Sequence, residues 1–318
     1  MKTIQLRPAD PERDFGQIAA LFNTYNNDQT TTEAGLKEDY AKDKERIIQQ
    51  GAFDEKGELL GFYWASQSRL EEGRVYADLI VKEEYRHLGV GSFLYADMER
   101  TIAATPAKKL RLTVLDTHPE YKAFAEKRGY AERLHLIGME LNLDAFDARP
   151  YDELIAKLKS QGFQFTTMEE LGNTEEAQYK LYNLNDTAAA ETAGGMGEHP
   201  WASFEDFQKK VCQSDWYMPS GQMVVIDSAT GNWAAMSAIT RYQGADYAYN
   251  LFTGVEWHYR GRMLAQAVKA QALRYARDIL KVHIVRTHHN TLNLPMIHID
   301  RKFGYTVLPG TFVVEKVL

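Results

Sequence analysis

The chain carries one loop signal twice, and this repetition limits its possible folds more than any other feature. The segments R-H-L-G-V-G-S (residues 86–92) and R-G-R-M-L-A (residues 260–265) each follow an apolar, strand-like run and open a helical pattern. A Gly-Tyr pair arrives 43 residues after Arg86 and 44 residues after Arg260. A strand-to-helix turn leaves backbone N–H groups free at the positive end of the helix dipole, where phosphates bind. Two such loops in matching contexts predict a duplicated unit that binds a phosphate-bearing cofactor.

The length of the chain agrees with a duplication, because 318 residues suit about two domains of ~150 residues. Both halves show the order β-α-α-β-β-β-α-β-α-β, and the polar, proline-containing segment 144–151 between them reads as a linker. We therefore expect domains at 1–145 and 155–318. In this reading a charged helix runs to about residue 50, a strand at 134–143 closes the first half, and a strand at 312–317 closes the second.

The pattern of strands predicts an α+β fold. Hairpins combined with a strand–helix–strand crossover give a mixed, mostly antiparallel sheet in each half, with helices on its faces. We expect each sheet to splay after the strand that ends at Val81 or Val255.

Composition excludes several classes of protein. Hydrophobic residues make up 44% and charged residues 25%, which is typical of globular chains. The formal charge of −7 argues against nucleic-acid binding and is mildly compatible with a cationic substrate. No apolar run approaches the ~18 residues of a membrane span, and the N-terminus does not resemble a signal peptide. A single cysteine, Cys212, fits a reducing compartment, so we expect a cytoplasmic protein without membrane or nucleic-acid partners.

The two loops resemble a known family signature. Arg86, Gly89 and Gly91 match the Q/R-x-x-G-x-G/A motif of the GNAT superfamily of N-acetyltransferases, and the second copy matches it at Arg260 and Ala265, with Met263 in place of the first glycine. The segment T-H-H-N-T-L-N-L-P-M-I-H-I-D-R-K-F-G-Y (287–305) looks like the corresponding part of tandem GNAT proteins such as mycothiol synthase. Each half is therefore similar to a GNAT domain.

This resemblance implies acetyl-CoA as cosubstrate, with its pyrophosphate on the loop N–H groups and its pantetheine arm between splayed strands. In the first half the implied contacts are Leu79, Ile80, Val81, Arg86, His87, Leu88, Gly89, Val90, Gly91 and Ser92. In the second half they are Gly254, Val255, Arg260, Gly261, Arg262, Met263, Leu264, Ala265 and Asn293. The glycines remove Cβ atoms where a diphosphate approaches the main chain, and Arg86 adds a guanidinium.

The candidate catalytic side chains depart from the family pattern. The tyrosine that commonly protonates the departing thiolate in this family lies five residues before the aromatic of the Gly-aromatic pair, where this chain has Ala125 and Asp300. Asn293 and Met296 match the tandem-family pattern, whereas the first half has His118 and Tyr121 there. We therefore expect transfer in the second half with Asp300 as the ionisable group. The competing view places it in the first half, with Asp78 as the carboxylate that deprotonates an ammonium substrate.

The resulting hypothesis is transfer of an acetyl group to a primary amine of a small molecule, by direct attack in a ternary complex. Two alternatives stay open: a non-catalytic acyl-CoA-binding or regulatory module, and an aminoacyl-tRNA-dependent transferase. The acceptor and the oligomeric state are not predicted. The histidines lack zinc-site spacing, so no metal is expected; they are His283, His288, His289 and His298. Cys212 is read as a structural thiol, and the loop 191–201 as either a substrate lid or a plain connection.

Overall fold

In the computed structural model, which describes residues 4–25, 31–68, 71–192 and 199–318, the chain divides into two units. The N-terminal unit comprises Met1–Arg133 together with Thr311–Leu318, and the C-terminal unit comprises Leu134–Gly310. The units differ from the contiguous segments 1–145 and 155–318 at two strands. The N-terminal unit takes its closing strand from the end of the chain, and the C-terminal unit takes the strand that was expected to close the first half.

The N-terminal unit builds a mixed sheet with helices on both faces. In chain order its elements are β1 (Gln5–Arg7), α1 (Phe15–Asn23), α2 (Glu33–Asp43), β2 (Ile47–Phe53), β3 (Leu59–Gln67), β4 (Arg74–Val81), α3 (Val90–Ala103), β5 (Lys109–Leu115) and α4 (Pro119–Glu126). The last strand of the chain, β12 (Thr306–Val317), completes it, with Thr311–Val317 antiparallel to β5. The pairing is antiparallel from β1 to β4 and parallel between β4 and β5.

Two apolar clusters cover the two faces of this sheet. On one face α3 packs against residues that alternate along β4 and β5, including Val75, Ala77, Leu110 and Leu112. On the other face α1 contributes Phe15, Ile18 and Leu21, which pack against Phe53, Leu59 and Phe62 of β2 and β3. This alternation follows from the two-residue repeat of strands, and burial of both faces stabilises the unit.

The C-terminal unit repeats this arrangement. Its elements are β6 (Ala131–Asn142), α5 (Arg149–Ser160), β7 (Phe163–Thr167), α6 (Glu175–Ala190), α7 (Phe204–Phe207), β8 (Gln222–Asp227), β9 (Trp233–Thr240), β10 (Ala248–Val255), α8 (Leu264–Asp278), β11 (Ile284–Asn290) and α9 (Leu294–Phe303). The strands from β7 to β10 pair antiparallel, β10 pairs parallel with β11, and β11 pairs antiparallel with β6. The predicted α+β class with mixed, mostly antiparallel sheets is confirmed.

The closing strands are exchanged relative to the expected order. Residues 136–142 of β6, expected to close the first half, pair with β11 of the C-terminal unit, and residues 311–317 pair with β5 of the N-terminal unit. Equivalent ion pairs mark the exchange: Arg111 on β5 meets Glu315 at 2.8 Å, and Arg286 on β11 meets Glu140 at 2.8 Å. Each glutamate lies directly opposite its arginine in the strand register.

Two local expectations were wrong. The predicted charged helix to residue 50 ends at Asp43, because Ile47 and the residues after it pair with β3 and begin β2. The predicted linker 144–151 contains the start of α5 at Arg149. Pro150 lies in the first turn of this helix, where a missing N–H costs nothing, so the proline opens a helix instead of breaking one.

Candidate active site

A cleft opens in the N-terminal unit where β4 and β5 part. Their parallel pairing begins at Arg74 and Lys109 and ends at Ala77 and Leu112, although the strands continue to Val81 and Leu115. The cleft has a volume of about 670 Å³. Its walls include residues 78–81 of β4 and 112–115 of β5, and its rim includes the loop at Arg86 and the helix α4. A cavity of this size suits a cofactor-sized ligand.

The loop at the mouth of the cleft leads from β4 into α3. A short 3-10 turn (Glu83–Tyr85) follows β4, His87 and Gly89 take left-handed φ angles of 59° and 91°, and α3 begins at Val90. The N–H groups of the first helical turn have no acceptor within the helix, so they remain available to an anion. A Cβ on Gly91 would lie 3.5 Å from Val81, an ordinary contact, so glycine leaves room above the strand at this position.

The side chain of Arg86 fixes the loop and keeps its charge available. Its Nε donates to the carbonyl of Val81 at 3.2 Å, and its Nη2 donates to the hydroxyl of Tyr25. The guanidinium also lies over the rings of Tyr25 and Tyr121. Within the described residues Arg86 forms no ion pair, although the carboxylate of Glu120 in the same cleft interacts with its charge.

Asp78 lies in the wall of this cleft, as the competing sequence hypothesis requires. It occupies β4 one residue beyond the last β4–β5 pair and lies opposite Trp64 of β3. Burial raises the pKa of its carboxyl group, and no described cation or hydrogen-bond donor offsets that shift. A carboxylate with a raised pKa in a cleft is a candidate general base.

Sequence reasoning missed the side chain that can donate a proton here. The methyl group of Ala125 cannot donate a proton, but Tyr121, one helical turn earlier on α4, lines the same cleft. The Tyr121 hydroxyl is buried and has no hydrogen-bond partner among the described residues, and burial raises its pKa. Residues four apart on a helix share a face, and this spacing was the available signal.

The C-terminal unit contains a loop of the same construction. Arg260 Nε donates to the carbonyl of Val255 at 3.2 Å, a short 3-10 turn (Trp257–Tyr259) precedes it, and α8 begins at Leu264. Gly261 and Met263 take left-handed φ angles of 77° and 63°, as His87 and Gly89 do in the first loop. Met263 adopts a backbone conformation that costs a residue with a Cβ free energy, so the fold imposes the turn without its usual glycine.

Three of the predicted acetyl-CoA contacts of the second unit have other partners. Arg260 forms an ion pair with Glu191 at 2.6 Å, which neutralises the guanidinium. A Cβ on Gly254 would lie 2.5 Å from Phe252 and 2.8 Å from Ala188, so this glycine serves side-chain packing. Asn293 caps α9 by accepting from the N–H of Met296.

Asp300 is enclosed in the core of the C-terminal unit. It has no exposed surface, forms an ion pair with Lys269 of α8, and accepts from His289 Nε2 at 2.7 Å. Burial alone would raise the pKa of this carboxyl group, but the Lys269 and His289 contacts hold it below its usual range. A carboxylate that is ionised, paired and inaccessible is unsuited to protonating a thiolate. The geometry therefore opposes the expected role of Asp300.

The remaining candidates of the sequence have ordinary partners. His283 contacts Asp144, and His288 contacts Tyr249. In the described ranges no three His, Cys, Asp or Glu side chains lie close enough to hold a metal ion. Burial raises the pKa of Cys212 to about 11, so it stays a thiol at neutral pH. The proposed lid at 191–201 lies in part, at 193–198, outside the described residues. No helix of the described chain is long and apolar enough to cross a membrane.

The sequence of the N-terminal unit matches a known family. Residues 15–130 match the acetyltransferase (GNAT) family, so the N-terminal unit contains a GNAT-family domain, as its loop motif predicted. This family uses acetyl-CoA. No curated protein sequence matches the chain. The narrower likeness to mycothiol synthase stays a prediction.

Solved structures share the whole two-unit fold. A GCN5-related N-acetyltransferase from Sphaerobacter thermophilus aligns over 99% of this chain and 95% of its own, with a TM-score of 0.70 and 16% identity. A tandem GNAT protein from the clavulanic acid biosynthesis pathway aligns over 99% and 98%, with a TM-score of 0.67 and 17% identity. A glucosamine N-acetyltransferase region of a fungal β-N-acetylglucosaminidase aligns over 99% of this chain and 38% of its own, with a TM-score of 0.72 and 14% identity. At these identities the likeness establishes the fold alone.

Proposed function

We propose that the N-terminal unit transfers an acetyl group from acetyl-CoA to a primary amine of a small molecule. One observation carries this proposal: a single cleft joins the guanidinium of Arg86, the free N–H groups of the α3 start, the carboxyl group of Asp78 and the buried hydroxyl of Tyr121. These are the groups that diphosphate binding, amine deprotonation and thiolate protonation require.

Binding follows from the two ends of the cleft. The first-turn N–H groups of α3 and the guanidinium of Arg86 hold the diphosphate, since both present donors and positive charge to the same volume. The unpaired edges of β4 beyond Ala77 and of β5 beyond Leu112 offer main-chain donors and acceptors to the amide groups of the pantetheine arm. This arrangement directs the thioester towards Asp78 and Tyr121.

The residues then divide the proton transfers. Asp78, directly or through a water molecule, takes a proton from the substrate ammonium, and the freed nitrogen forms a bond to the acetyl carbon. The carbon–sulfur bond breaks with its electron pair on sulfur. Tyr121 donates its proton to the thiolate, the acetylated nitrogen returns its surplus proton to the tyrosinate through water, and Asp78 releases its proton to solvent. Because a thioester is already activated, positioning of the two reactants supplies much of the rate.

The described residues of the C-terminal unit contain no equivalent set of groups, and we assign this unit no turnover. Its loop arginine is neutralised by Glu191, its glycine at 254 is packed by Phe252, and its carboxylate at 300 is paired inside the core. The alternative of a non-catalytic module therefore suits the C-terminal unit better than the N-terminal unit.

A matched pair of variants tests the assignment. Gly91 and Ala265 each occupy the second position of the helix that follows the loop, so Gly91→Glu and Ala265→Glu place the same charge in equivalent contexts. We expect Gly91→Glu to abolish acetyl-CoA binding in calorimetric titrations and Ala265→Glu to leave it unchanged. A panel of amines with a free-thiol readout then measures transfer. Unchanged binding in both variants would reject the site, and binding without amine-stimulated CoA release would favour a non-catalytic module.

A further inference from the structure

The sheet face that carries Asp78 also carries an unbalanced group of cations. Glu315 of β12 is 2% exposed and meets Arg111 at 2.8 Å, Arg133 at 3.2 Å and Arg74 at 3.4 Å. Arg74 also pairs with Glu71, which in turn pairs with Lys109 at 3.2 Å. Four cations therefore surround two carboxylates, and the group keeps an excess of two positive charges in a chain whose net charge is −7.

Strand register and the contacts to Glu315 place this cation group, defined as Arg74, Lys109, Arg111 and Arg133, on the sheet face that carries Asp78. Arg111 lies beside Tyr76 in the parallel pair, and Tyr76 precedes Asp78 by two residues on β4, so all three side chains share one face. Two residues of strand span about 7 Å. The phosphate loop follows the other end of β4, so the excess charge lies away from the expected position of the CoA diphosphate.

The same face is only partly covered. The helices α1 and α2 pack over β2 and β3, where Trp64 contacts Phe15 and Tyr40. Farther along the sheet Tyr76 is 42% exposed, and the Arg133 side chain is 50% exposed. Arg133 binds Glu315 through Nε and one terminal nitrogen, which leaves donors of its guanidinium directed at solvent.

The second copy shows that the fold does not need this excess. The equivalent of Arg111 is Arg286, which pairs with Glu140 at 2.8 Å. No second or third arginine joins Glu140 among the described ion pairs, whereas three arginines meet Glu315. The additional arginines on the carboxylate occur in the unit that carries Asp78.

We infer that the acceptor is a primary amine that also carries a carboxylate, bound with its nitrogen at Asp78 and its carboxylate on the exposed donors of Arg133. This inference rests on the proposed transfer in the N-terminal unit. A guanidinium presents parallel donors that match a carboxylate, which explains arginine in place of lysine at the exposed position.

The test compares 4-aminobutyrate with its neutral analogue 4-aminobutyramide as acceptors, in the wild type and in Arg133→Gln. We expect the carboxylate acceptor to have at least a 10-fold higher kcat/KM in the wild type, and this preference to fall below 3-fold in Arg133→Gln with the KM for acetyl-CoA unchanged. Arg286→Gln is the matched control and should retain the wild-type preference. Equal or better use of the amide by the wild type would overturn the inference.

A binding measurement separates this inference from the proposed catalysis. Titration of the CoA-loaded protein with N-acetyl-4-aminobutyrate and with its carboxamide requires no turnover. Carboxylate-selective binding that Arg133→Gln weakens at least 5-fold supports the anion site even where no amine releases CoA, a result that would reject only the proposed transfer. Equal binding of the two probes, or selectivity that survives Arg133→Gln, would reject the anion site whatever the transfer assay gives.

Discussion

Arg86 donates through Nε to the main-chain carbonyl of Val81 at 3.2 Å. The same contact recurs between Arg260 and Val255 at 3.2 Å, so the duplicated sequence folds into duplicated loops. The loops differ in what the rest of each guanidinium meets: the hydroxyl of Tyr25 in the first and the carboxylate of Glu191 in the second. One shared backbone contact thus supports an arginine that is free to bind an anion and another that is already paired.

This difference predicts unequal effects of removing the two arginines. Arg86→Gln should weaken acetyl-CoA binding about 10-fold, because a charge-assisted hydrogen bond to phosphate is lost. Arg260→Gln should leave the affinity unchanged, since its guanidinium is committed to Glu191. Calorimetric titration at fixed salt measures both. A larger loss in Arg260→Gln would place the diphosphate on the second loop.

Tyr121→Phe tests the proposed proton donor. Loss of the hydroxyl should lower kcat about 100-fold while the KM for acetyl-CoA stays near its wild-type value, because general acid catalysis acts in the transition state. Tyr130→Phe is the control: it also removes a buried hydroxyl from the N-terminal unit, but Tyr130 packs in the core beside Tyr95. Equal activity losses in the two variants would indicate a packing effect instead of proton transfer.

The role of Asp78 as the base predicts how kcat/KM falls at low pH, the acidic limb of the pH profile. Burial raises the pKa of its carboxyl group, and the base must be ionised, so kcat/KM should fall as the pH decreases through a value above the 3.8 of an ordinary aspartate. Asp78→Asn should lower the rate at neutral pH and remove this limb. An acidic limb that is unchanged in Asp78→Asn would contradict the assignment of Asp78 as the base.

The same shift has a consequence for stability. A carboxyl group whose pKa is raised by folding stabilises the protein below its unfolded pKa and loses that contribution as the pH rises through the folded value. Asp78→Asn should therefore raise the free energy of unfolding at pH 7, where the wild type holds a poorly solvated carboxylate. Urea unfolding at pH 7 and pH 4 measures this, and the gain should shrink at the lower pH.

Much of the fold could be predicted from the sequence because its signals are local. The loops, the hairpin around Gly57 and the helices α1, α3 and α8 follow from spacing, glycine and apolar periodicity. The strand exchange could not be predicted in this way. Residues 134–143 and 312–317 have the alternation of a strand in either pairing, and only long-range contacts such as Arg111–Glu315 decide the partner.

The site was partly predictable for the same reason. The loop residues and Asp78 follow from motif and position, whereas the role of Asp300 depends on a partner far along the chain. Lys269 appears in the sequence as one polar residue of an amphipathic helix, yet it points into the core. At the positions equivalent to Lys269 and Asp300, the first unit has Tyr95 and Ala125, both buried. The Lys269–Asp300 ion pair is therefore a feature of the core of the second unit. A motif comparison alone could not distinguish this structural carboxylate from a catalytic one.

The buried ion pair between Lys269 and Asp300 allows a test of whether these residues contribute to stability or to catalysis. Lys269→Met leaves the Asp300 carboxylate buried with only His289 as a partner, so it should cost about 3–5 kcal/mol of unfolding free energy in urea titrations. The double variant Lys269→Met/Asp300→Leu removes both charges and should recover most of that loss, because well-packed apolar residues often replace a buried ion pair at little cost. With transfer assigned to the N-terminal unit, the folded double variant should keep the wild-type kcat. A double variant that is as stable as the wild type but has lost turnover would return the chemistry to Asp300 and the C-terminal unit.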